Sequence, residues 1–132
     1  MKRFSNIESI EKLTLRESGM RFTSEHELKM RENDVEVSRY EIRYTQHRDE
    51  RILIKRSLIS REAALKLLNE CKVMSWDGFS GAHPRWVKDG IMFSLTAVVN
   101  DGKVIRAEGS QNFPKRYREF TDGLNGFLNG AI

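Results

Sequence analysis

Hydrophobic and polar residues alternate through much of the first half of the chain. Over residues 18–31, Met20, Phe22, His26, Leu28 and Met30 share one parity, while Arg21, Thr23, Glu25, Glu27, Lys29 and Arg31 share the other. A period of two predicts a half-buried strand with one wet face. Asn33-Asp34 marks a turn. In the next run Val35 and Val37 lie on one parity, but Tyr40, Ile42 and Tyr44 lie on the other. One unbroken strand cannot bury both sets on one face, so a bulge near Ser38-Arg39 is expected to reset the alternation. After the polar residues 47–50, Ile52, Leu53 and Ile54 predict a third strand. Residues 13–16 predict an earlier one, joined by a turn at Glu17-Ser18-Gly19, with a short helix over residues 7–13 as the competing reading.

The period then changes. Ser60 offers an N-cap, and Ala64, Leu67, Leu68 and Cys71 follow at helical spacing, which predicts a helix over 61–72. Residues 73–90 lose all periodicity and carry both tryptophans, a long connection for a small domain. Ile91, Phe93, Leu95, Ala97 and Val99 resume a strand, Asn100-Asp101-Gly102 is a hairpin turn, and residues 104–108 return. A last helix is expected with Asn112 as cap, Pro114 at its start, and Tyr117, Phe120, Leu124, Phe127 and Leu128 as its apolar stripe. Gly123 and Gly126 weaken that helix unless the sheet supports it. The order predicts a single α+β domain over 1–132: an antiparallel sheet, built from a meander and a C-terminal hairpin, with two helices on one face.

Composition narrows the function classes. The chain has 132 residues, enough for an ordinary core, and its single cysteine excludes a disulfide framework and a multi-cysteine zinc site. No apolar run is long enough to span a bilayer, and the basic start has no apolar stretch behind it. A cytoplasmic protein is therefore expected. The net charge of +4 divides evenly, +2 in residues 1–60 and +2 in 61–132, so there is no basic tail. The alternating charges of the first half read as a solvated sheet face.

Trp76, Asp77 and Gly78, then Asp89-Gly90, Phe93 and Leu95, then Gly109-Ser110-Gln111-Asn112-Phe113-Pro114, Tyr117 and Phe120 form a spaced set, preceded by Ile7, Ile10, Ser18, Gly19 and Met20. In these elements the chain resembles a family of small bacterial domains without an assigned function, built as a β meander and helix, a tryptophan loop, a hairpin and a final helix. It departs in the inserted Gln111 and in Phe93, where the family pattern has tryptophan. The resemblance implies the α+β architecture and brings no reaction and no catalytic residues.

Two segments carry candidate chemistry. Ser110, Lys115, Arg116 and Arg118 gather at the lead-in of the last helix, where free amides and a partial positive charge attract an anion or a nucleic-acid phosphate. The plainer reading is a solvated basic face, since the segment lacks the P-loop pattern. Trp76, Phe79, Arg85 and Trp86 have the composition of a protein-contact platform. The competing reading folds these aromatics inward as a plug at one end of the sheet, the commoner outcome for such rings. Catalysis finds no foothold. His26, His47 and His83 have no metal-ligand spacing, Asp77 and Asp89 are explained by turns, and Cys71 sits on an apolar stripe. A Cys71/His83/Asp89 triad can be written, but nothing in the pattern brings the three together.

The expectation is a small non-catalytic binding or regulatory module of inhibitor or immunity type, with another protein as partner and no cofactor. Nucleic-acid or phosphate binding at the basic segment is the alternative. An enzyme comes third.

Overall fold

The computed structural model describes residues 6–20, 22–45, 48–85 and 90–129. The alternating segments form β1 (Ile10–Ser18), β2 (Thr23–Arg31), β3 (Asp34–Thr45) and β4 (Arg48–Ser60). α1 (Arg61–Glu70) follows, then a 3₁₀ turn at Val73–Trp76 and the short β5 (Ser80–Gly81). The hairpin β6 (Met92–Val99) and β7 (Lys103–Ser110) leads to α2 (Tyr117–Asn129). One seven-stranded sheet results, in the order β4-β3-β2-β1-β6-β7-β5, antiparallel except where β5 meets β7. The α+β architecture read from the sequence is the one observed.

The two helices cover one face. Leu13, Leu28 and Val37 stand in a row across β1, β2 and β3, and Leu95, Ala97 and Ile105 continue the layer. Ala64 and Leu68 of α1 and Phe120, Leu124 and Leu128 of α2 close over them, all buried. Ser60 caps α1 by accepting from the Ala63 amide at 3.1 Å, as the pattern predicts. The β6–β7 turn holds Asn100 and Asp101 at positive φ (47° and 60°), the backbone a tight hairpin needs.

The other face corrects two expectations. The bulge is not in β3, which pairs with β2 without a shift. It lies in β4, where Arg39 faces Lys55 but Tyr40 faces Leu53, leaving Ile54 as the extra residue. β3 buries both parities, Val35 and Val37 under the helices and Tyr40 and Ile42 on the opposite face. A layer of paired charges makes this possible. Arg51 donates to Glu25 at 2.6 Å and to Glu27 at 3.1 Å, and its guanidinium lies 3.5 Å over the Tyr40 ring. Lys12 and Arg16 approach the same two carboxylates from β1, and Arg56 reaches Glu36 at 3.2 Å. Glu25 and Glu27 are only 8% exposed. This face is thus an ordered ion-pair layer, with neighbouring strands supplying opposite signs.

α2 also starts later than the sequence suggests. Asn112 does not cap it; its side chain donates to the Ala82 carbonyl at 3.3 Å. Phe113 must first stack on Phe93 and Tyr117, with ring centroids 5.4 and 4.7 Å apart. The chain then turns at Arg116, at φ 68°, before the helix begins. The loop folds back so closely that a Cβ on Gly109 would lie 2.1 Å from the Asn112 carbonyl oxygen, so only glycine fits there.

Candidate functional site

The tryptophan loop is split between core and surface. Trp76 is 2% exposed. Its indole N–H donates to the Lys115 carbonyl at 3.2 Å, and its ring stands edge-on to Phe120 at 5.4 Å. A tryptophan buried with its donor satisfied is a structural anchor. Trp76 is therefore removed from the expected contact set, and Phe79, half-buried and tilted against Phe93, belongs mostly to the same plug. Arg85 is exposed, whereas Trp86 lies outside the described residues, as do His47 and Asp89. Asp77 ties the loop to β7, accepting from the Arg106 amide and the Lys103 ammonium, both at 3.1 Å. These two donors, the amide first, hold its carboxyl below the ordinary value.

The basic set separates as well. Lys115 and Arg116 line a cleft of about 530 Å³ between the end of α1 and the lead-in of α2. Lys72 and Ser75 join them, with Trp76 and Phe113 among the apolar walls and no carboxylate in the lining. Ser110 is elsewhere, its hydroxyl 2.8 Å from His83 Nδ1. Arg118 belongs to a different cleft, shared with Glu17 and Glu119. Lys72 gives no signal in the sequence; it reaches this cleft because the backbone after α1 turns left-handed there, at φ 55°. The Cys71 thiol also lines the cleft, and burial pushes its pKa up, away from nucleophilic use.

A third surface comes from residues assigned to the core by their alternation. β2 begins only at Thr23, so Met20 and Phe22 sit in the β1–β2 turn, closed by the Gly19 amide on the Phe22 carbonyl at 2.9 Å. Met20 is 76% exposed, Phe22 49% and Tyr44 68%. With Ser18, Thr23, Ile42 and Arg43 they line a cleft of about 680 Å³. The Tyr44 hydroxyl lies 3.2 Å from Thr23 Oγ1, which steadies one wall. Met92, also exposed, pairs with Ser18 in the ladder and extends the apolar surface onto β6. The placement of Met20 and Phe22 on the inward parity is thus corrected: β1 runs on to Ser18 and the turn extends as far as Phe22, past the Glu17-Ser18-Gly19 the pattern suggests.

Two further buried titratable groups, His26 and Tyr117, line neither the Lys72–Arg116 cleft nor the Met20–Tyr44 cleft. His26 Nε2 is 2.9 Å from Asn125 Oδ1 on α2, and its Nδ1 has no hydrogen-bond partner among the described residues. Burial is the main cause of a pKa below the ordinary value of 6.5, with Arg39 adding to it. Tyr117 donates to Glu17 at 2.7 Å, and burial holds its hydroxyl protonated. Among the described residues no three His, Cys, Asp or Glu side chains gather as a metal cluster. No helix of the described residues is long and apolar enough to cross a membrane. Comparison of the chain with protein-family models, with curated proteins and with solved structures gives no match.

Proposed function

We propose that the protein is a non-catalytic binding module that docks another protein at the cleft lined by Met20, Phe22 and Tyr44. The observation that carries this reading is the exposure of Met20, Phe22 and Tyr44 around one cleft, with Arg43 at its wall and the exposed Met92 across the ladder from Ser18. Folded chains leave such side chains in water singly, and a cluster of them marks a contact site. Methionine, aromatic rings and arginine are the residue types enriched where proteins meet. An inhibitor or immunity-type role fits a small rigid scaffold presenting one such patch.

Affinity capture from the native cell with the full chain as bait, read by mass spectrometry, tests this. The double variant Met20→Ser, Tyr44→Ser is expected to keep the melting temperature and lose the captured protein. Unchanged capture by that variant would refute the reading.

A second reading draws on the basic cleft. Lys72, Lys115 and Arg116 converge there without a carboxylate in the lining, which suits a phosphate-bearing ligand or nucleic acid. Binding of a labelled single-stranded oligonucleotide, measured at two salt concentrations, is expected to weaken steeply with salt. No binding at low salt ends this reading.

A further inference from the structure

β4 is the outer strand of the sheet, and among the described residues no strand lies along its far side. Its thirteen residues present a row of backbone donors and acceptors to which another strand can add. Edge strands are commonly guarded by prolines, by short length or by charges that repel a copy of themselves. β4 is long and has no proline, and Leu53, Ile54 and Leu58 are exposed on it. Its two acids, Asp49 and Glu50, lie before the apolar centre between Arg48 and Arg51, and Lys55 and Arg56 follow it.

The bulge decides which of these charges share a face. Glu50 and Lys55 are five positions apart, and in a regular strand they would point to opposite sides. With Ile54 as the extra residue, Glu50 faces Arg43 and Lys55 faces Arg39, both on the helix-bearing side. Asp49 faces Tyr44 and Arg56 faces Ser38, both on the opposite side. Acid and base therefore match face by face on either side of Ile52.

We propose that a second copy of this chain adds antiparallel to β4 about a two-fold axis through Ile52, perpendicular to the sheet. In that register Ile52 meets its own copy and Arg51 meets Leu53. The bulges let Glu50 meet Lys55, Asp49 meet Arg56 and Arg48 meet Ser57, every pair on a common face. Each charged pairing occurs twice by symmetry, and opposite charges directly across a ladder attract. A parallel, in-register arrangement would set Glu50 against Glu50 and Lys55 against Lys55. Among the described residues Asp49, Glu50 and Lys55 have no ion pair within the chain, so their charges remain available to a partner.

Sedimentation velocity of the full chain tests this. The wild type is expected to sediment at twice the chain mass. Glu50→Lys alone and Lys55→Glu alone are each expected to sediment as monomers, because each sets like charges across the two-fold. An equimolar mixture of the two variants is expected to recover the dimer, since each supplies the sign the other needs. A wild type that stays monomeric at its highest soluble concentration overturns the proposal. So do variants that remain dimeric, or a mixture that stays monomeric. Amide hydrogen exchange on the wild type reads the same interface without a substitution. Residues 48–57 are expected to gain protection as the protein is concentrated, and protection gained only elsewhere counts against the proposal.

Discussion

Trp76 and His26 show how much a single side chain can decide. Truncating Trp76 removes a fully packed ring and orphans the Lys115 carbonyl, so Trp76→Ala is expected to cost about 3–5 kcal/mol, read as a fall in the thermal midpoint. That loss separates a core anchor from a contact residue, whose removal leaves stability nearly unchanged. His26 carries a pH dependence. The unfolded histidine titrates near 6.5 and the folded one lower, so between the two values the unfolded chain binds more protons. Its contribution to stability is complete above about pH 6.5 and declines as pH falls toward the folded value. Denaturant midpoints measured over that window are expected to fall with pH in the wild type, and the part owed to this residue disappears in His26→Gln. The inward position of His26 and the core position of Cys71 were both legible from parity and helical spacing. The exposure of Met20 and Phe22 was not, because alternation does not register where a turn ends and a strand begins.

The elements that depend on local chemistry were the readable ones. The Ser60 cap, the α1 stripe and the Asn100-Asp101-Gly102 hairpin all follow from residues within a few positions of each other. The bulge was misplaced because parity within β3 reports the burial of β3, whereas the inserted residue belongs to the register of β4 against it. The ion-pair layer escaped notice for a related reason: Glu25, Glu27 and Arg51 meet only once three strands are aligned. Arg51→Met is expected to cost roughly 2–3 kcal/mol in chemical denaturation, since it strands two nearly buried carboxylates. The loss falls short of the ~3–5 kcal/mol of a fully buried pair because the Arg51 side chain is 42% exposed and Lys12 and Arg16 remain nearby. The late start of α2 follows the same logic, since the aromatic stack of Phe113 with Phe93 and Tyr117 overrides a plausible local cap.

At the level of the whole molecule, the three surfaces divide the labour of the fold. Trp76 and its aromatic neighbours seal the helix-bearing side beside β6, the β1–β2 turn and the end of β3 carry the exposed Met20, Phe22 and Tyr44, and the β4 edge stays open to another strand. β1 lies in the middle of the sheet although it comes first in the chain, with β2 on one side and β6 on the other. Its second neighbour is separated from it by more than seventy residues of sequence, including the whole of α1. During synthesis β1 to β4 therefore leave the ribosome with one inner edge vacant and their oily side bare, until β6 and α2 emerge. Translation speed through residues 61–91, and whatever chaperone shelters the half-made sheet, thus bear on how much of this protein reaches its native state.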